Sequence, residues 1–589
     1  MRNKLLYLLI PMVFLAACKK DLDKYPLTTV SDETFWNTEN DLIVYNNVFY
    51  DYAKSNAMRL LNGNHEGATR DGQYSLDGMT DNDVRSFSFS PNHVRIRAGQ
   101  ITPDTNPISF GWNNTCFNFV RAINIGLANY DRADIDQSII DKYKAEARLF
   151  RGWMVADKVS LYGDYPWIEK ELNIDSEELF DERTPRDVVM AKVLEDLNFA
   201  CEFLPDDWGD GGAPGRLNRW SALLIKSRIC LFEGTWRKYH GVGSDANMWL
   251  EAAAAAAKEL IDNGPYKLYS TGDAAHDYNA IFQMSDLTGV DEVMYWRRYE
   301  QGVIQNSWQI YYYMATVSKD MVEDYLCTDG LPITLSSSYQ GDEVYEDIWV
   351  NRDPRMRQSV LHPDDVGYYD YFAFPANGIG VPNLLGMSGT ATTITGYHQV
   401  KHVNQEQNLN FHDGFTPCVI LRFGEALLNY AEARAELGVL TQADLDLSIN
   451  KLRDRVGMVH MDLGNIPVDP RYTSDGVSPL IAEIRRERRV ELFGEGFRYD
   501  DIRRWKQGAK FRHKDYGMRW DEANRNRFDP NGVVSLQYEV VPGTGVEYIA
   551  PNKGGDFENP VFEEKHYLWP IPVSARSQNP NVGQNPGWE

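Results

Sequence analysis

Long stretches of this sequence place apolar residues at steps of three and four, the spacing that lines one face of an α-helix. From residue 136 the positions Ile140, Tyr143, Ala147, Phe150 and Met154 form such a stripe; Gly163 ends it and Pro166 prevents its resumption. A second helix is predicted over 185–204, with Val188, Val189, Val193, Leu194 and Leu197 inward. A third covers 217–236 through Ala222, Leu223, Ile225, Ile229 and Leu231. A fourth covers 249–261, where alanine is unbroken from Ala252 to Ala257 and the small side chains permit close helix approach. Farther along, 421–437 and 443–456 form another pair across Gly438. Ser31-Asp32-Glu33-Thr34 reads as a helix start capped by Ser31, with Phe35, Trp36, Leu42, Val44 and Tyr45 as apolar surface behind it.

Elsewhere the period is lost. Residues 60–110 are rich in Gly, Asn, Asp, Pro and Ser and read as long loops over the body. Residues 265–420 are mixed: 292–296 reads as a short strand and 376–396 as a Gly/Thr-rich loop, and the chain is loop-like again from Asn526. The string Asn429-Tyr430-Ala431-Glu432-Ala433, followed by Gly438, resembles a degenerate tetratricopeptide unit. The predicted fold class is therefore mainly α: stacked tetratricopeptide-like hairpins forming a scaffold, with long loops and a few short strands. Binding surfaces usually lie on loops held by such a scaffold.

The N-terminus adds an address. Arg2 and Lys4 precede an apolar segment, residues 5–16, too short to span a bilayer, and the run ends in Leu15-Ala16-Ala17-Cys18. That is a lipobox, and cleavage before Cys18 would leave this cysteine lipidated as the first residue. The expected organisation is a signal peptide at 1–17, a charged tether at 18–30 and a body at 31–589. The body divides into a helical part to about 264, a loop-rich part to about 420 and a C-terminal helical part with tail.

Charge narrows the partners. The formal net charge of −25 repels phosphate backbones and anionic lipid, so nucleic acid is a poor partner and membrane attachment needs the anchor. No later apolar run approaches the roughly 20 residues of a membrane helix. Beyond Cys18 the cysteines are Cys116, Cys201, Cys230, Cys327 and Cys418, an odd number without CxxC spacing, from which no disulfide framework is inferred.

Several stretches, in order, resemble the SusD/RagB family of Bacteroidetes. After the lipobox come Asp21-Leu22-Asp23, Pro26 and Phe35-Trp36, then Ala145-Glu146-Ala147-Arg148-Leu149-Phe150-Arg151 and Tyr162-Gly163-Asp164-Tyr165-Pro166. Gly215-Arg216-Leu217-Asn218, Asn351-Arg352-Asp353-Pro354-Arg355 and the arginine-rich run 484–496 follow, and then Asp501-Ile502-Arg503-Arg504-Trp505. The chain closes with Trp569-Pro570-Ile571-Pro572 and Gln584-Asn585-Pro586-Gly587-Trp588. The resemblance implies a surface-anchored helical body that acts as the lid of a TonB-dependent SusC-like barrel transporter. It also implies an oligosaccharide ligand, or in some branches a peptide, with no cofactor and no catalysis.

Glu487 and Glu491 sit one turn apart, a carboxylate pair of the kind a glycosidase uses, but Arg485, Arg486, Arg488 and Arg489 surround them. Arginine pairing keeps carboxylates ionised, whereas a general acid needs the reverse, so structural ion pairs are expected. His398 and His402 share zinc-like spacing without an HExxH pattern, and chance proximity is expected. Sugar binding needs flat aromatic platforms with polar groups at the rim. Asn82, Arg85 and Trp112 supply one candidate region, alongside Asp81, Asp83 and His93; Trp296, Arg297, Arg298, Tyr299, Trp308, Tyr311, Tyr312 and Tyr313 supply the other, with Trp308 and Tyr311 the favoured platforms. A glycan-binding lid is favoured over a peptide-binding lid, a surface glycosidase or esterase, and a purely protein-binding scaffold.

Overall fold

The computed structural model describes residues 35–54, 57–59, 72–85, 90–106, 111–306, 316–365, 382–387, 392–404 and 414–589. The expected helix start at 31–34 lies outside them. The first described helix, α1 (Glu39–Lys54), is instead secured by Asp41, whose carboxylate accepts from the amides of Asn37 and Thr38 at 3.0 and 2.8 Å.

Helical hairpins build the N-terminal part. After α2 (Asn114–Asn129) comes α3 (Gln137–Tyr162), with Ile140, Tyr143, Ala147, Phe150 and Met154 all buried. It ends at Gly163, whose φ of 74° suits glycine. α4 (Arg186–Phe203) lies along α3, and α5 (Arg219–His240) along α6 (Ala246–Asn263). In α4 the inward stripe is Val189, Val193, Leu197 and Ala200; Val188 faces solvent, 51% exposed, which corrects the expectation. Its neighbours Val189 and Met190 are also apolar, and consecutive apolar residues leave the phase of a stripe undetermined. In the alanine run Ala253, Ala254, Ala256 and Ala257 are buried and Ala255 is exposed; α5 and α6 approach closely, and a Cβ added to Gly234 of α5 would stand 2.8 Å from Leu250 Cγ of α6.

Three two-stranded antiparallel sheets lie among the described residues: β1 (Asp83–Val84) with β3 (Thr316–Val317), β2 (Val293–Arg297) with β4 (Cys418–Arg422), and β5 (Tyr538–Val540) with β6 (Glu547–Ile549). Leu421 thus belongs to a strand, and the following helix, α7 (Phe423–Glu436), begins only after Arg422. The helix expected over 443–456 is two pieces, α8 (Gln442–Leu447) and α9 (Ile449–Arg455), broken at Ser448. Part of the 60–110 excursion also turns out to be interior. Residues Gln73–Met79 form a buried 3-10 turn and Pro91–Arg97 a short helix, with Leu76, Met79 and Val84 in the core.

The C-terminal part is organised by α10 (Pro479–Glu491) and α11 (Arg498–Arg504). Ser478 caps α10, and all residues from Ile481 to Glu491 are buried. Cys116, Cys201, Cys230, Cys327 and Cys418 are free thiols. Among the described residues no helix is long and apolar enough to cross a membrane.

Candidate functional site

The carboxylates of α10 are locked into ion pairs. Glu491 accepts from Arg455 at 2.7 and 2.8 Å, from Arg422 at 2.8 Å and from Arg355 at 3.1 Å; Glu487 accepts from Arg355 at 2.6 Å and Arg453 at 2.9 Å. Burial alone would raise both pKa values, but Arg455, Arg422 and Arg355 hold Glu491 far below the usual carboxylate range, and Arg355 and Arg453 lower Glu487. Neither can serve as a proton donor near neutrality. His398 and His402 are not on a helix: 398 and 399 bridge to Thr316 and Val360, so their i, i+4 spacing does not align them. Burial pushes His398 down to about 3, and the His402 ring stacks on Tyr74 at 3.9 Å.

The first region proposed for ligand lies inside the protein. Asn82 donates to Asp77 at 3.0 Å and accepts from Arg489 Nε at 2.8 Å; it is a structural connector and not a rim group. Arg85 pairs with Asp83 at 2.6 Å and is buried. Trp112 is 8% exposed and packs edge-on against Tyr162 and Tyr165, with ring centroids 5.5 and 5.0 Å away. These three are corrected as exposed sugar contacts, because aromatic packing and ion pairs occupy them. Trp308, Tyr311 and Tyr313 lie outside the described residues.

Trp296 has a different setting. It sits on β2, 6% exposed, in the wall of a cavity of about 420 Å³. That volume falls in the range of small-ligand pockets. Tyr295, Arg297 and Arg298 line the cavity from the same strand and its end, Asn47, Tyr50 and Asp51 from α1, and Pro214 and Arg216 from the turn before α5. Sequence distances hide this meeting of residues 47, 216 and 296.

The turn is built to fix Arg216. Gly209, Gly211 and Gly215 have positive φ, the Ala213–Pro214 bond is cis, and Asp210 accepts from the Gly212 amide at 3.0 Å. Behind Arg216, the fully buried Glu146 accepts from Nε at 2.9 Å and Nη2 at 2.6 Å, while Asn47 accepts from Nη1 at 2.6 Å. The guanidinium also lies 5.2 Å from the Trp208 ring and 5.5 Å from Tyr50. The Tyr50 hydroxyl donates to Glu146 at 2.6 Å and accepts from the Leu217 amide at 2.9 Å; burial, then Glu146, raise its pKa strongly. Arg297 stacks on Tyr299 at 4.9 Å, and Arg298 is exposed at the mouth. The result is an aromatic-walled cavity with guanidinium donors and an amide and carboxylate at its edge, an arrangement that can bind a polyhydroxylated ligand and offers no acid–base pair. Sequence reasoning missed Asn47, Tyr50 and Asp51, and it met Arg216 only inside a motif; the glycine-rich turn was the available signal.

A larger cleft of about 850 Å³ contains Asp81, with Lys319, Glu323, Asp342, Asp515 and Tyr548 among its walls. Its charges are matched internally. Asp81 pairs with Arg498 at 2.7 Å, Asp515 with Arg97 at 2.9 Å, and Lys319 with Glu323 and Asp342.

Comparison with known proteins places the fold. The sequence profile of the SusD family matches residues 279–588. SusD-like protein P2 of Formosa agariphila is 21% identical, the alignment covering 98% of each chain. The crystal structure of a SusD-like carbohydrate binding protein from Bacteroides fragilis superposes with a TM-score of 0.71 at 19% identity, over 93% of this chain and all of that one. A laminarin binding SusD-like protein superposes with a TM-score of 0.60 at 17% identity, over 94% of this chain and all of that one. The chain belongs to the SusD family, and its mainly helical scaffold is that of its structural neighbours. The cavity straddles the matched segment: β2 lies within it, whereas α1 and the Arg216 turn lie before it.

Proposed function

We propose that this protein is an outer-membrane, cell-surface lipoprotein, anchored through Cys18, that binds an oligosaccharide and acts as the lid of a TonB-dependent SusC-like transporter. It performs no chemistry on its ligand. The observation that carries the reading is the cavity at the end of β2, where Trp296 and Tyr50 supply apolar walls and Asn47, Asp51 and Arg216 supply groups for hydroxyls. Family membership supports it, as does a relative described as carbohydrate binding. The strong ion pairing of Glu487 and Glu491 supports binding without hydrolysis.

Isothermal titration of the purified chain against a panel of oligosaccharides and oligopeptides tests the binding role, with reducing-sugar release followed in parallel. Saturable oligosaccharide binding in the micromolar to millimolar range, without turnover, is the expected outcome. Tighter binding of peptides, or sugar release by the pure protein, would refute it. For the address, Cys18→Ala should remove the protein from the outer-membrane fraction. Mild detergent extraction of the wild type should bring a barrel transporter with it, and a folded bait without one counts against the lid.

A further inference from the structure

The rim of the cavity beside β2 differs from its walls. We infer that this rim is the face on which the transporter partner docks, through an apolar, largely uncharged protein surface; the inference rests on the anchored-lid reading above. Between Glu39 and Tyr52 of α1 the exposed positions are Asn40, Val44, Asn47, Val48 and Asp51, with Asp51 the one charge among them, in a chain whose formal net charge is −25. Val44 and Val48, one turn apart on the same side of the helix, are 51% and 43% exposed. Their neighbours Asn47 and Asp51 line the cavity, so the valines stand at its edge. Ile304 lines the same cavity, and beside it Val303 is 75% exposed.

Backbone hydrogen bonds fix this display. Residues 300–304 close a tight turn: the Glu300 amide donates to the Ile304 carbonyl at 2.8 Å, the Ile304 amide donates to the Glu300 carbonyl at 3.0 Å, and Gly302 supplies a φ of 76°. The charged neighbours Arg298 and Glu300 face each other at 3.5 Å. Apolar side chains held outward together, with few charges among them, mark the centre of a protein interface. The tether points to the occupant. Only residues 18–34 lie between Cys18 and Phe35, and fully extended they reach about 60 Å. A globule of 589 residues has an outer radius of about 32 Å, hence about 100 Å of surface from one pole to the other. The tether is too short to leave α1 at the pole facing away from the membrane, so the exposed face of α1 is held within reach of a protein embedded there. Anionic lipid and a second copy of this chain are poorer occupants, since each would meet the net negative charge with its own.

Mild detergent extraction of cells carrying Val48→Asp together with Val303→Asp tests this, with the barrel recovered per bait compared with wild type. Recovery should fall about tenfold or more, because docking would have to desolvate both new carboxylates. Neither residue lines the cavity, so the oligosaccharide affinity and the thermal unfolding midpoint of the purified variant should match wild type. Val459→Asp, at a position 52% exposed in the C-terminal part, should keep the barrel. Unchanged recovery in the double variant, or an equal loss in Val459→Asp, overturns the inference while the lid reading stands. If the double variant lowers the unfolding midpoint, Val303→Asp alone, at the 75% exposed turn, decides in the same way. A folded wild-type bait that brings no barrel fails the lid reading and the inference with it. A dimer of the purified wild type that Val48→Asp dissociates in sedimentation gives the patch another occupant and overturns the inference. Binding to neutral phospholipid vesicles that Val48→Asp abolishes does the same.

Discussion

The helix α10 and the cavity beside β2 are both arginine-rich, yet they use the residue in opposite ways. In α10, Arg485 meets Glu436, Arg486 meets Asp469, Arg488 meets Asp501 and Arg489 meets Asp324, every pair with both side chains no more than 5% exposed. In the cavity Arg298 is 60% exposed and meets the equally hydrated Glu300 at 3.5 Å. The difference teaches that arginine density alone does not distinguish a scaffold from a site. What decides is whether a carboxylate closes on the guanidinium where water is absent. Where it does, removing one partner leaves a buried charge uncompensated; where it does not, the charge remains available to a ligand.

The comparison is broken most directly by Glu491→Ala. It takes one carboxylate from each of Arg355, Arg422 and Arg455, which keep Asp353 and Glu487, Glu292 and Glu495, and Glu292 respectively, and the buried excess of positive charge should cost about 3 kcal/mol or more, read from urea unfolding followed by circular dichroism. A loss below about 1 kcal/mol would mean that the network is not what holds α10 in place.

Acid sharpens the same contrast. Burial would raise the Glu432 pKa, but Arg504, Arg488 and Arg485 bring it down to about 2, and Glu491 is depressed as well. A carboxylate depressed on folding stabilises above its unfolded pKa of about 4.5, and that stabilisation drains away as pH falls towards the folded value. Unfolding midpoints measured from pH 5 down to pH 2 should therefore drop steeply, and a flat profile would contradict the pairing.

Asp77 carries the opposite sign. Burial, resisted by hydrogen bonds from Asn82 and the Gly494 amide, raises it to about 6. A carboxylate raised on folding is a liability above that value, relieved as pH falls. Asp77→Asn should thus remove about 1 kcal/mol of the stability the wild type gains between pH 7 and pH 5, seen as a smaller difference between the two unfolding curves. The smallest effect belongs to the cavity: Arg298→Gln should change stability by less than about 0.5 kcal/mol. A loss of 2 kcal/mol or more in urea would place Arg298 with the scaffold.

Much of the scaffold was legible in the sequence because helix period is a local signal. The stripe from Ile140 to Met154 and the alanine run of α6 needed no tertiary information. Val188 failed because three apolar residues in succession fit two phases. The strand at 418–422 was missed, 418–420 being read as loop-rich and 421–422 as the start of a helix, since its partner, residues 293–297, lies over a hundred positions earlier in the chain. The ionised state of Glu487 and Glu491 was also legible, because four arginines share their helix. The cavity was not. Trp296 was named among the candidates, but Asn47, Tyr50 and Arg216 reach it only through folding, and Asn82 and Trp112 were offered because a loop-rich stretch brings aromatic and polar residues together, which says nothing of their burial.

The reach of the α10 and α11 arginines also sets an order of events in folding. Asp81 pairs with Arg498 across 417 residues, and Asn82 meets Arg489 across 407. A ribosome delivering this chain exposes Asp81 and Asn82 long before their guanidinium partners exist. The N-terminal hairpins can coil locally on their own, but the segment around 73–85 cannot settle until nearly the whole polypeptide has arrived. Contacts of such span close late and slow the final step. C-terminal truncation before residue 489 therefore removes the partners of a region near the opposite end of the chain, and a nascent fragment of that length should be recognised by proteases at residues 73–85 first.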